Sequence, residues 1–548
     1  MKSMLSASRI GQHSRPGLWP GRTLVDFFDD ALARTPDKTV VTGHNSASGD
    51  VIAFSYRQMH RLVKRMAIGL ARLGVERGEV VSCQLPNWWQ FVALHLACIR
   101  IGAVTNPLMP IFRQRELSYM LRFAESRILV IPRRFRGFDY AGMADGLRDV
   151  LPALEHVLVV GDTRSDTFEA MLLDPQLENE PDADDLFAKR RAAPNDIVQL
   201  LYTSGTTGEP KGVLHTSNTL ISILQPYAER LGMDDTTVIL MASPLAHQAG
   251  FMYGAMMGPL LGGKLVLQDI WKPDVAAALI ESEGVSYTMG STPFLADLTD
   301  SPALKDHDIS SLQTFVSSGA PIPRVLVERA VQRLRCAVIS AWGMSETGSV
   351  TTTRPGDPPE KIFGTDGVAL RGMEVRIADE QGKPLPVDTE GHLQCRGVGN
   401  FIGYFKRPDI SAGDAEGWFD TGDLATMDAD GYIRITGRSK DIIIRGGENI
   451  PVIEIEELVY RLPAVQSAAI VAMPDERLGE RGCLFVVLQP GETLTFDEVV
   501  AHLARHNLAK NYFPERMEII AEMPRTASGK IQKYLLRERA RALAGSPK

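Results

Sequence analysis

Cysteine is scarce and scattered in this chain. Cys83, Cys98, Cys336, Cys395 and Cys483 are the only five among 548 residues, with no CxxC pair and no histidine at metal-ligand spacing beside any of them. A disulfide framework and a thiolate zinc site are thereby excluded, and the five read as small buried hydrophobes kept reduced. Long apolar runs are missing too: no stretch reaches the roughly 18 residues that a membrane-spanning helix requires. Nor is there an excess of positive charge. With 59 Lys and Arg against 67 Asp and Glu, the formal net charge is −8, which gives no basic field for nucleic acid or an anionic membrane surface. The first 25 residues carry Lys2, Arg9, Arg15 and Arg22 and no acid, but Pro16, Pro20 and interspersed polar residues break any apolar core. A secretory signal is not expected, so a cytoplasmic location is, with a transit peptide as the minor alternative.

What is present is the composition of a globular protein, 44% hydrophobic and 23% charged, in a chain too long for one core, so at least two domains are expected. Over 23–266, helix-like periodicity such as that of 56–73 alternates with short β-branched runs at 80–84, 128–131 and 156–160. That alternation predicts α/β layers on substantially parallel sheets. The acid-rich stretch 162–196 reads as a solvated surface excursion. Beyond Asp366, short alternating segments with Gly turns (374–377, 392–396, 432–436) predict a β-rich subdomain closing the first unit. A compact α+β tail follows and ends in a helix-forming run over 531–544. No internal repeat or low-complexity tract is visible.

The run Ile197-Val198-Gln199-Leu200-Leu201 reads as a strand and feeds Tyr202-Thr203-Ser204-Gly205-Thr206-Thr207-Gly208-Glu209-Pro210-Lys211-Gly212. Hydroxyls on Thr203, Ser204, Thr206 and Thr207, backbone N–H groups freed by Gly205 and Gly208, and the cation of Lys211 are what a loop needs to wrap phosphate oxygens. It is not a Walker A loop, because Pro210 stands where glycine is required and Gly212 where the Mg²⁺-binding hydroxyl is required. A P-loop kinase or ATPase is disfavoured.

This loop resembles the signature of the adenylate-forming superfamily, which includes acyl-CoA synthetases, luciferases and peptide-synthetase adenylation domains, and further blocks follow in that family's order. Ala341-Trp342-Gly343-Met344-Ser345-Glu346-Thr347-Gly348 is similar to its aromatic-Gly-x-Thr-Glu block. The resemblance implies Trp342 beside the adenine, Ser345 on the α-phosphate and Glu346 on Mg²⁺, with Gly343 and Thr347 in the nucleotide site. Trp342 and Ser345 stand where Tyr and Thr are more usual. Ser317-Ser318-Gly319-Ala320-Pro321 resembles the adenine-binding turn, so Ser318, Gly319 and Ala320 are expected at the purine edge. Trp418-Phe419-Asp420-Thr421-Gly422-Asp423 matches the TGD block. Asp423 is expected on the ribose hydroxyls, since a carboxylate accepts from two vicinal hydroxyls at once, and Asp420 is a solvated bystander. Arg438, in Gly437-Arg438-Ser439-Lys440-Asp441, is expected to fix the ribose or α-phosphate. Pro524-Arg525-Thr526-Ala527-Ser528-Gly529-Lys530 resembles the last block, whose lysine bridges the substrate carboxylate and the α-phosphate.

The resemblance implies an α/β fold: a large N-terminal domain over 1–438 and a small mobile α+β C-terminal domain over 439–548, with the hinge at Lys440. Arg445, Gly446 and Gly447 are expected to line the coenzyme A path. His247, Phe251 and Met252, in a 243–257 segment free of Asp, Glu, Lys and Arg, are expected to shape an apolar acyl pocket. The implied activity is an ATP-dependent acid:CoA ligase using Mg²⁺ and coenzyme A, similar in look to ligases for medium-chain or alicyclic acids. Loading of a carrier-protein phosphopantetheine, and a non-catalytic acyl or nucleotide sensor, remain as alternatives.

Overall fold

The computed structural model describes residues 5–14, 17–46, 48–161, 167–203, 210–319, 322–439, 441–445, 448–506, 508–526 and 529–544. Two large sheets carry the N-terminal domain. One has nine strands, in the order Val368–Ala369, Gly348–Thr352, Ala337–Met344, Thr314–Ser318, Tyr287–Gly290, Val238–Met241, Lys264–Gln268, Thr39–His44 and Val51–Ser55. The other has seven, in the order Gly403–Tyr404, Lys211–Thr216, Ile197–Thr203, Val104–Pro107, Val80–Cys83, Ile128–Pro132 and His156–Val160. Their central pairs are parallel and antiparallel pairing lies at the edges, as α/β layering predicts.

Helix Tyr56–Arg72 shows how the sequence sets such an element. Ser55 caps it by accepting from the Gln58 N–H at 3.2 Å while Gln58 Oε1 accepts from the Ser55 N–H at 2.8 Å, a reciprocal capping box. Met59, Val63, Met66 and Leu70 recur every three or four residues and are fully buried, the stripe that makes the helix adhere to the sheet. The acid-rich stretch is only in part the solvated excursion expected. Leu177 and Ala183 bury against Ile68, and Glu178, Glu180 and Asp196 pair with Arg65, Arg72 and Arg77. These three carboxylates dock on arginines of the sequence-distant helix 56–72 and the turn beyond it, while Asp182, Asp184 and Asp185 are exposed.

The β-rich subdomain is a four-stranded antiparallel sheet in the order Met373–Ala378, Gly391–Gly397, Phe419–Met427 and Ile433–Arg438. The small C-terminal domain has its own five-stranded sheet built on Val465–Asp475 and Gly479–Leu488. Successive residues of Val465–Asp475 bury on opposite faces, Ile470 in one apolar cluster and Ala469, Val471 and Met473 in another, the period of two that a strand imposes. Helix Lys533–Leu543 covers the second face through Leu536 and Ala540. Among the described residues no helix is long and apolar enough to cross a membrane.

Candidate active site

The carboxyl ends of Tyr287–Gly290, Thr314–Ser318 and Ala337–Met344 lie side by side in the nine-stranded sheet, the place where open parallel sheets bind ligands. Ser318 and Gly319 stand at one of these ends, Gly319 with φ +83°, where a Cβ is strained. Ala320 lies outside the described residues.

The hairpin Ala337–Met344 and Gly348–Thr352 presents the Trp342 to Gly348 block. Gly343 pairs with Ser349 beside a register shift, and a Cβ at Gly343 would fall 2.0 Å from the Gly348 carbonyl oxygen and 2.7 Å from Ser349 Cα. These are backbone atoms that cannot give way. Gly343→Ala is therefore expected to cost about 3 kcal/mol of stability through overpacking and to lower the unfolding midpoint in chemical denaturation; an unchanged midpoint contradicts this close approach.

Glu346 is buried, and its Oε1 accepts a hydrogen bond from the Tyr404 hydroxyl at 2.9 Å. Burial pushes its pKa above the ordinary carboxylate value, while that hydrogen bond and the charges of Arg438 and Lys211 oppose the shift. The turn around it is braced from behind: the Phe401 N–H donates to the Glu346 carbonyl at 2.7 Å. His215 Nε2 stands 2.8 Å from the Ser345 carbonyl. Burial lowers the His215 pKa to about 4, so the ring is neutral near pH 7 and donates one N–H. Thr347 is buried, with its hydroxyl donating to the Gly348 carbonyl.

Asp423 faces Arg438 directly across the antiparallel pair Phe419–Met427 and Ile433–Arg438. The register explains the contact: Arg438 Nε is 2.6 Å from Asp423 Oδ1, and the Trp342 indole N–H donates to Oδ2 at 2.9 Å. Both oxygens of this buried carboxylate are thus oriented, and each keeps a further lone pair. Asp420 is exposed; its Oδ1 receives the Gly422 N–H and its Oδ2 lies 4.0 Å from His392 Nδ1.

Thr203 and Lys211 face each other across Ile197–Thr203 and Lys211–Thr216. Ser204, Gly205, Thr206, Thr207 and Gly208 lie outside the described residues. Lys211 Nζ sits 5.1 Å from the centre of the Tyr404 ring, joining the start of one strand to the residue that holds Glu346.

Lys530 arrives from the C-terminal domain. Its N–H donates to Thr526 Oγ1 at 3.1 Å and its carbonyl receives the Thr526 N–H at 2.7 Å, so the turn closes on itself. Gly529, with φ +86°, is seated against Ser291 and Pro293 at the carboxyl end of Tyr287–Gly290. The Lys530 side chain is exposed within the cleft. Crowding by protein lowers its pKa from the ordinary lysine value, Arg438 adds to the fall, and Asp423 and Asp441 oppose it. Half-buried contacts between the domains include the ion pair of Arg434 with Glu457. Lys440 lies outside the described residues, between Ser439, bonded to Gly422, and Asp441, bonded to Arg438 and paired with Arg537.

His247 feels the Lys530 charge, and crowding first, then that charge, lower its pKa to about 4. Neutral near pH 7, it can shape a pocket but has no proton to give as an acid. Met252 is buried beside Gly348, and Phe251 packs against Phe91 and His95. Arg445 is paired with Glu515 at 2.7 Å; Gly446 and Gly447 lie outside the described residues.

The structure thus brings Trp342, Glu346, Asp423, Arg438, Lys211, His247 and Lys530 to one cleft from five separate chain segments. Sequence reasoning missed Tyr404 and His215, which hold the Glu346 turn; the only signal for Tyr404 was its short apolar setting, and for His215 there was none. Among the described residues no group of three or more His, Cys, Asp or Glu could hold a metal. A magnesium ion suits such a site, because it binds through one or two carboxylates together with substrate phosphates, and Glu346 supplies one carboxylate.

Comparison with known proteins bears on family and fold. The family model described as AMP-binding enzyme matches residues 28–405, and that of the AMP-binding enzyme C-terminal domain matches 454–530. The chain is 36% identical over 533 residues to the medium-chain fatty-acid–CoA ligase of Escherichia coli, covering 97% of this chain and 92% of that one. It is 32% identical over 530 residues to the 2,3-dihydroxybenzoate-AMP ligase of Bacillus subtilis, covering 96% and 95%. Among solved structures, ATP-bound MatB from Rhodopseudomonas palustris superposes with a TM-score of 0.81 at 26% identity, covering 95% and 99%.

Proposed function

Because the chain belongs to the AMP-binding enzyme family, whose members include AMP-forming acid:CoA ligases, we propose that it joins a medium-chain or alicyclic carboxylic acid to AMP and passes the acyl group to coenzyme A. The observation that carries this reading is the seating of Lys530 where Asp423 and Arg438 act on it, Arg438 acting in turn on Glu346. A carboxylate attacking the α-phosphorus of ATP brings two anions together. Lys530 bridges them as a point cation, lowering repulsion and fixing the in-line approach. Thr203, Lys211 and residues 204–208 contact the β- and γ-phosphates, Trp342, Ser318, Gly319 and Ala320 frame the adenine, Gly343 and Thr347 complete the nucleotide site, Asp423 takes the ribose hydroxyls, Ser345 contacts the α-phosphate and Arg438 the ribose or α-phosphate. Held by Glu346 and the phosphates, Mg²⁺ would offset the charge on the departing pyrophosphate.

Pyrophosphate leaves as the carboxylate oxygen bonds to phosphorus; the coenzyme A thiolate then attacks the acyl carbon and AMP leaves. The thiol comes with the acceptor, in accord with five buried enzyme cysteines. For the second step we propose that 439–548 rotates about Lys440 and that Arg445, Gly446 and Gly447 line the pantetheine path, Arg445 exchanging its Glu515 partner.

The apolar character of 243–257 and the 36% identity to a medium-chain ligase support the choice of acid. Burying each methylene in the transition state is worth about 0.8 kcal/mol, or about fourfold in kcat/KM. Activity is expected to climb from acetate toward medium-chain or cyclohexane-type acids and then fall as the pocket overfills. Amino acids should fail, because 243–257 offers no carboxylate for the ammonium group. A kcat/KM series headed by acetate or a free amino acid contradicts the pocket reading. Similarity to the 2,3-dihydroxybenzoate-AMP ligase supports a second reading, an aryl acid loaded on a carrier-protein phosphopantetheine; turnover requiring a carrier protein and ignoring coenzyme A would favour it.

A further inference from the structure

Three side chains beside the acyl segment share an anomaly. Gln199, Gln248 and His95 are almost wholly buried, at 0%, 4% and 1% exposure. Gln199 Nε2 donates to Gln248 Oε1 at 2.8 Å, and His95 Nδ1 lies 2.9 Å from Thr105 Oγ1. Each pair leaves atoms over: Gln199 Oε1, Gln248 Nε2 and His95 Nε2 have no hydrogen-bond partner. The two pairs adjoin, because Thr105 and Gln199 are register partners on neighbouring strands and because the His95 ring stacks edge-on against Phe251, three residues after Gln248, at 4.6 Å. Buried polar groups normally find partners, and leaving three unsatisfied in one place is costly unless something completes them.

Their position ties them to the acid. Gln248 directly follows His247, on which Lys530 acts. It opens a short helical turn that runs into the π-helix Phe251–Met256, a rare form that recurs at functional sites. Met252 of that π-helix touches Gly348, two residues from Glu346. Gln199 sits four residues before Thr203, at the root of the phosphate loop. The glutamine pair therefore lies just inward of the reacting groups.

Resting on the acid:CoA ligase reading above, we propose that Gln199 and Gln248 form a polar station within the acyl pocket that receives a hydroxyl group of the acid, with His95 as its back wall. A hydroxyl donates one hydrogen bond and accepts others, so it completes the acceptor and the donor that the pair leaves free. The complementarity does not depend on how the two amides are oriented. If both are turned over, the pair still shares one hydrogen bond and still leaves one donor and one acceptor. Neither a methylene nor a carboxylate can do this. The neutral His95 ring, its pKa lowered by burial to about 3, adds a polar edge without a charge. With an unsubstituted acid, a buried water can occupy the same station.

The test uses the purified full chain with ATP, Mg²⁺ and coenzyme A, and measures AMP release for sets of positional isomers: the hydroxy derivatives of cyclohexanecarboxylate, benzoate and octanoate, each beside its parent acid. Isomers carry the same hydroxyl, so differences among them report where it lands rather than how well it is hydrated. One position is expected to exceed its isomers at least tenfold in kcat/KM, and Gln248→Met and Gln199→Met, similar in size but without the amide, are each expected to reduce that isomer preference about tenfold. Isomers within twofold of one another in the wild-type chain, or a preference untouched by both substitutions, overturns the station and leaves only a buried water. Absence of turnover with every parent and hydroxy acid would overturn the ligase reading itself, an outcome distinct from a flat isomer series with active parents.

Discussion

Lys530→Ala is expected to reduce acid-dependent pyrophosphate exchange by about a thousandfold, the scale seen when one preorganised charge-stabilising group is removed from a reacting centre. The fold should survive. Lys530 is exposed at the tip of a turn whose internal hydrogen bonds use backbone atoms, Thr526 and Arg525, none supplied by the lysine side chain. Supplied with preformed acyl-adenylate and coenzyme A, the variant should still form thioester, since the mixed anhydride no longer needs two anions held together. The wild-type chain adds a second signature. With the Lys530 pKa lowered by crowding and by Arg438, its ammonium is lost at lower pH than an ordinary lysine's. The alkaline limb of kcat/KM for adenylation, which reports the free enzyme, is therefore expected below the usual lysine range, and it should vanish from the residual activity of Lys530→Ala. Equal loss of both half-reactions with a native circular dichroism spectrum would remove Lys530 from the bridging role.

Glu346→Gln is expected to lower adenylation by about a hundredfold to a thousandfold and to raise the Mg²⁺ concentration needed for half-maximal rate. The amide can still receive the Tyr404 hydrogen bond at the same oxygen, so packing is kept while the charge is lost. Burial raises the Glu346 pKa, so its proton is bound at higher pH than on an ordinary glutamate. The acid limb of adenylation should accordingly lie above the usual carboxylate range in the wild-type chain and be absent from the variant. A variant with wild-type Mg²⁺ dependence contradicts the assignment.

Much of this site was legible because each block is local. Thr203 and Lys211 face each other on paired strands, and Trp342 to Gly348 is one hairpin, so residue type and spacing already state what the backbone does there. Contacts between blocks were not legible. The Tyr404 hydroxyl meets Glu346 across 58 residues and Trp342 meets Asp423 across 81, contacts between different sheets that only tertiary packing creates. The same cause explains part of the acid-rich segment: Glu178, Glu180 and Asp196 looked solvated until the fold set arginines from 65–77 beside them. Reading 243–257 by its absent charges found an apolar segment but passed over Gln248, whose meaning depends on Gln199, 49 residues away on another sheet strand. The packing of separate sheets and helices against one another, which no local pattern encodes, brought each of these pairs together.

The most direct measurement for the whole account is the product balance of the wild-type chain incubated with ATP, Mg²⁺ and a panel of carboxylic acids, with and without coenzyme A. Acid-dependent exchange of pyrophosphate into ATP without coenzyme A, and equimolar AMP and acyl-CoA when it is added, are predicted. ADP and phosphate as products, or no acid-dependent consumption of ATP across the panel, would contradict it.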